Sequence, residues 1–183
     1  NWLCVEYRGP TPGGKTGALV FVAENQAGVS SEVVVKLRRP GGAEDGTSGH
    51  FGATSLATEL ICSTIGRCVG LNVPDYGIAT IPSELAATIR NQNVRGKVEG
   101  SLGRNFATAA IQSVSTWDPL CSSMSFDLRE SMDRIITADA AWINADRQSS
   151  NPNLLWDGRD RLIPIDHGLA CPLTVLSDLR TID

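Results

Sequence analysis

Asn144–Ala145–Asp146–Arg147–Gln148–Ser149–Ser150–Asn151, followed downstream by Leu162–Ile163–Pro164–Ile165–Asp166–His167–Gly168, is the stretch on which the reading of this chain turns. A carboxylate, a carboxamide further along the same polar turn, and a second carboxylate at the end of an apolar strand are hard oxygen donors. Such donors hold Mg²⁺ beside a triphosphate. Phosphoryl transfer asks for little more: an Asp to orient the incoming hydroxyl and accept its proton, a metal to neutralise phosphate charge, and a lysine to position the phosphates. Asp146, Asn151 and Asp166 are the residues for the first two parts. Asp and Asn are also favoured turn formers, and Asp166 reads equally as a cap on the turn through His167 and Gly168.

Working outward, Phe126 to Ile143 carries Leu128, Met132, Ile135, Ile136, Ala140 and Ile143 at helical steps and predicts a long helix. Short strands are expected at Asn151–Trp156 and Leu162–Ile165, with a break at Trp117–Asp118–Pro119 and a strand over Phe106–Val114. Residues 83–105 are polar with little period and read as a loop or insertion with a short helix at Ser83–Arg90. Tyr76–Ile81 reads as a strand. Leu56, Leu60, Ile61, Ile65, Val69 and Leu71 predict a helix over 55–69, with Thr54 or Ser55 as N-cap and Gly70 as its stop. Pro40–Gly52 is a Gly-rich loop. Val5 and Tyr7, Ala18–Val22 and Val33–Leu37 give a three-strand antiparallel start. The order is α+β rather than a regular βαβ alternation.

The cation has two candidates. Lys36 ends Val33–Val34–Val35–Lys36, and a period of two puts its ammonium on the face shared with Val34; a lone strand lysine also reads as a snorkelling surface residue. Gly9–Thr16 fits the pattern GxxxxGK[ST] letter for letter, which makes Gly14, Lys15 and Thr16 candidate phosphate binders. A P-loop aims backbone N–H groups at phosphate and then opens a helix. Pro10 and Pro12 have no N–H, and Ala18–Val22 has strand composition. A Gly-rich hairpin folding over a nucleotide, or an ordinary surface turn, fits these residues better.

Composition excludes other classes. The 183 residues hold 16 Lys and Arg against 20 Asp and Glu, a formal charge of −4. No basic block exceeds Arg38–Arg39, so a nucleic-acid partner is not expected. No apolar run approaches the roughly 18 residues that cross a bilayer, and Asn1–Arg8 has no basic n-region, so neither membrane nor export is expected. Five cysteines without a CxxC pair and two distant histidines argue against zinc or a disulfide scaffold, and read as reduced core residues of a cytoplasmic protein.

With these motifs in hand, the sequence resembles the HipA-like kinases, relatives of the phosphatidylinositol-kinase-like and protein-kinase-like superfamily. The resemblance rests on residues 33–36, on Leu56–Leu60 leading to Gly70–Pro74, on Asp146–Leu155 and on Ile165–Gly168, and covers roughly residues 15 to 170. It implies a bilobal fold: residues 1–112 as an N-lobe of antiparallel sheet with one helix, and 113–183 as a short, mostly helical C-lobe. The hinge would lie near 106–116, with ATP between the lobes. It also implies that Lys36 contacts the ATP phosphates, that Glu59 fixes its ammonium, that Asp146 is the catalytic carboxylate, and that Asn151 and Asp166 hold Mg²⁺ or Mn²⁺. Arg147 would support the loop, and His167 would stand where related kinases have Phe. The implied reaction is transfer of the ATP γ-phosphate to a hydroxyl, of a protein Ser or Thr.

The chain departs from the family at Gln148, where many relatives have a different polar residue, often His, and in the 17 residues that follow Asp166, where several helices are usual. The short tail predicts that apolar residues of the helix at 126–143 lie exposed, ready for a partner chain or dimer contact. Two other functions compete: a pseudokinase or nucleotide-binding scaffold acting through a partner, and a P-loop NTPase built on Gly14, Lys15 and Thr16.

Overall fold

The computed structural model describes residues 1–11, 17–38, 53–118, 124–144, 147–148 and 151–170. It is α+β, and its chain forms two compact units, residues 1–60 with 75–110 and residues 61–74 with 111–183.

The first unit is a closed five-stranded barrel in the order β1 (Trp2–Pro10), β2 (Leu19–Asn25), β3 (Ser30–Lys36), β5 (Gly103–Ala109), β4 (Tyr76–Ile81). The expected three-strand start is present, since β1 pairs β2 and β2 pairs β3, both antiparallel. The ring closes through a short parallel contact, Trp2 opposite Ala79 and Leu3 opposite Thr80, so the sheet is not purely antiparallel as the sequence suggested. Register shifts in β1 between Cys4 and Glu6 and between Tyr7 and Gly9 mark bulges, which increase twist and curl a strand toward closure. Leu19, Phe21, Ala23, Val33, Val35, Ala79 and Ile81 are buried in the core of this unit.

The short helix expected from Ser83 is α2 (Ser83–Thr88), and a second one, α3 (Gln92–Glu99), occupies part of the segment read as a loop, so the unit has more helix than expected. Only Val98 of α3 is buried, too little to make a stripe, and the helix start is set instead by the Asn91 side chain accepting the Val94 N–H. Asn105, buried on β5, accepts the Arg38 N–H at 2.9 Å and donates to the carbonyls of Ser101 and Gly103, which ties the end of β3 to this insertion.

Helix α1 (Ala53–Cys68) supplies residues to both units, the division falling after Leu60. Thr54 and Ser55 lie inside it rather than capping it. Its buried face is also not the apolar one. Ser55, Thr58, Glu59, Cys62 and Ser63 are buried, whereas Ile61, Ile65 and Val69 are exposed. Small and hydrogen-bonding side chains allow close approach, and a buried carboxylate must be paired. The helix stops as read at Gly70. The Leu71 N–H bonds the Gly66 carbonyl, the Gly70 N–H bonds that of Arg67, and Gly70 takes φ +81°, a Schellman ending.

The second unit packs α4 (Phe126–Ala141) with a three-stranded antiparallel sheet, β6 (Ser115–Thr116), β7 (Leu154–Trp156) and β8 (Leu162–Pro164). Ser125 caps α4 by accepting the Leu128 N–H at 3.2 Å. Leu128, Ile135, Ala138 and Trp142 join Cys62, Leu71, Trp117, Leu154 and Leu162 in this unit's core. The long apolar stripe expected of α4 therefore divides. Met132, Ile136, Ala140 and Ile143 instead line an open groove of about 620 Å³, with Ile136 and Ile143 exposed. Among the described residues no helix is long and apolar enough to cross a membrane.

Candidate active site

In the first unit, strand alternation sends Val33 and Val35 into the core and leaves Val34 and Lys36 on the opposite face, as a period of two requires. The Lys36 Nζ donates to Oε1 of Glu59, which arrives from the buried face of α1. Glu59 is 2% exposed and Lys36 17%, so water screens the pair weakly. An ammonium held by a buried carboxylate is a fixed point charge suited to a phosphate oxygen.

In the second unit, β7 and β8 pair with Leu154 opposite Pro164 and Leu155 opposite Ile163, and the Ile165 N–H continues the ladder to the Asn153 carbonyl at 2.9 Å. That register brings Asn151 and Asp166 to the same end of one hairpin. The other end closes on Asp157, whose Oδ1 accepts the N–H groups of Arg159 and Arg161. Slight desolvation there opposes ionisation, but these bonds and the two guanidinium charges hold the carboxyl below its usual range. Gln148 and Asn151 exchange both backbone hydrogen bonds, at 3.1 and 3.0 Å. Asp166 takes φ +58°, and strained backbone of this kind recurs where a side chain is held for a ligand. His167 is buried, its ring edge-on to Trp142 at 5.5 Å.

Among the described residues no group of three or more His, Cys, Asp or Glu is placed to hold a metal. The donor chemistry nevertheless fits Mg²⁺, which keeps several waters and is commonly bound by one or two carboxylates together with substrate phosphates. Asp166 with the Asn151 carboxamide is a donor set of that kind. Asp146, and Gly14, Lys15 and Thr16, lie outside the described residues; what flanks the last three is the antiparallel pair β1 and β2.

Sequence reasoning missed Asp139. Its Oδ1 accepts from the Asn144 Nδ2 at 2.8 Å and its Oδ2 from the Arg147 Nε, while the Arg147 Nη1 donates to the carbonyls of Pro152 at 2.9 Å and Asn153 at 2.6 Å. Arg147 thus supports the loop, as the resemblance implied, and does so from a helical carboxylate. Asp139 sits between Ala138 and Ala140 and pairs across a helix end, where periodicity carries no signal.

A family model described as HipA-like kinase matches residues 47–177, more than two-thirds of the chain. The match takes in Glu59, Asp146, Asn151 and Asp166, and begins after Lys36. No curated protein sequence matches the chain.

Proposed function

The chain belongs to the HipA-like kinase family, and from that membership we propose that it is an ATP- and Mg²⁺-dependent kinase that phosphorylates a protein Ser or Thr hydroxyl. In this reading residues 1–112 are the nucleotide-binding lobe and 113–183 the catalytic lobe of a bilobal kinase. Lys36, fixed by Glu59, holds the phosphates. Asp146 orients the acceptor hydroxyl and takes its proton as the oxygen bonds to the γ-phosphorus. The bond from that phosphorus to the β–γ bridging oxygen breaks, and ADP leaves. Asn151 and Asp166 hold the metal, which when bound neutralises charge on the β- and γ-phosphates.

The observation that carries the reading is the β7–β8 register, which gathers Asn151 and Asp166 at one end of a hairpin inside the family match. A protein acceptor is favoured by the open, largely apolar groove bordered by Asn144, Gln148 and Pro152 of the same loop, a surface suited to a polypeptide segment. Asp146→Asn is expected to leave Mg·ATP affinity within about twofold and to lower γ-phosphate transfer roughly 10³-fold, measured with labelled ATP and by calorimetry. Undiminished transfer removes Asp146 from the mechanism. Asp166→Ala is expected to abolish the Mg²⁺-dependent part of nucleotide binding, and an unchanged Mg·ATP affinity overturns its role as a ligand.

A further inference from the structure

Asp139 occupies the last turn of α4, at the negative end of the helix dipole, where a carboxylate is locally unfavourable and a cation or neutral residue is preferred. It is nevertheless 12% exposed and fully engaged. Its main-chain carbonyl takes the Asn144 N–H at 2.9 Å and its carboxylate takes the Asn144 side chain and Arg147, so one residue grips the start of the loop three times. Arg147, 9% exposed, carries the grip onward to the carbonyls of Pro152 and Asn153, and the Asn153 carbonyl also receives the Ile165 N–H. A continuous chain of hydrogen bonds therefore runs from the helix end, past Asn151, to the strand that leads into Asp166. Charge-assisted bonds between weakly screened partners are about twice as strong as neutral ones.

We propose that Asp139 is the positioning residue for Asn144, Arg147 and Asn151–Asn153, setting through Arg147 and Asn144 the placement of Asn151 relative to Asp166. Its consequence for catalysis rests on the kinase reading above; its geometry does not.

The test compares Asp139→Asn, which is nearly isosteric and retains an acceptor for Asn144, with Arg147→Lys, which retains charge but not the fork. Hydrogen exchange at the backbone amides of Gln148, Asn151 and Ile165 is expected to quicken by about tenfold or more in either variant. The Trp142 amide, bonded to Ala138 within the helix end, should keep its protection. Transfer should fall about 10²-fold in kcat with KM for ATP within about twofold, and the double variant should be no worse than the worse single one. Unchanged loop exchange, or strictly additive losses, overturns the proposal. If wild-type protein transfers no phosphate while the loop amides respond as stated, the kinase reading falls and the positioning role of Asp139 stands. If Asp139→Asn does not fold, Arg147→Lys alone decides by the same exchange readout.

Discussion

Lys36 and Glu59 are the clearest case of a single contact with two consequences, one for stability and one for chemistry. Removing one member of a weakly screened ion pair strands the other charge, which typically costs about 3–5 kcal/mol, whereas replacing both with apolar residues of similar size is often neutral. Glu59→Ala is therefore expected to lower the unfolding free energy by roughly 3 kcal/mol, read from urea denaturation. The double variant Lys36→Met with Glu59→Leu should return it to within about 1 kcal/mol of wild type. Under the proposed function that stable double variant still fails to bind Mg·ATP. Recovery of nucleotide affinity together with stability would falsify the assignment of Lys36 to the phosphates.

Among the elements, the two long helices end in the same motif with different residues. Beyond α4 the Asn144 N–H bonds the Asp139 carbonyl, the Ile143 N–H bonds that of Ala140, and Ile143 sits at φ +53°, the position Gly70 fills after α1. A left-handed conformation is costly for any residue with a Cβ, most of all a β-branched one. Ile143 is 63% exposed, so little burial compensates. Ile143→Gly should raise stability by about 1 kcal/mol, seen as a higher denaturation midpoint at unchanged m-value; a lower midpoint contradicts this account of the turn. The contrast also shows what local sequence conveys. Gly70 announces a helix end, Pro74 leads into the strand Tyr76–Ile81, and the apolar steps of 126–143 announce their helix, because each signal follows from backbone geometry. Helix α3 offers one buried residue and no stripe. Helix α1 buries Glu59, paired with Lys36, and three hydroxyl-bearing residues while its isoleucines face out, so its apolar steps do not mark its buried face. Asn151 and Asp166 were legible as hard oxygen donors from their chemistry, and the hairpin register places them at one end. Asp139 was not, because its partners lie beyond the helix in which it is read.

For the molecule as a whole, each unit has its own core and its own buried thiol. Cys4 belongs to the first core and Cys62 to the second, while Cys68 is exposed at the end of α1. Burial pushes the Cys4 thiol up to about 12, far from the thiolate form that alkylating agents need. Iodoacetamide at neutral pH should label Cys68 in the native protein and leave Cys4 and Cys62 at least about 10²-fold slower, with sites assigned by mass spectrometry. Raising urea then gives two separate thresholds, Cys4 reporting the barrel and Cys62 the helix-and-sheet unit. Native-rate labelling of Cys4 is the outcome that contradicts a closed core.

Because the five strands of the first unit close into a ring, each has a neighbour on both sides, and among the described residues no strand presents a full-length free edge. The closure is short, Trp2 against Ala79 and Leu3 against Thr80, so an extended peptide adding itself as a sixth strand, the route by which many signalling domains capture linear motifs, finds its longest open stretch along β1 beyond that contact. Elsewhere around the ring, recognition by this unit has to run through side chains and loops.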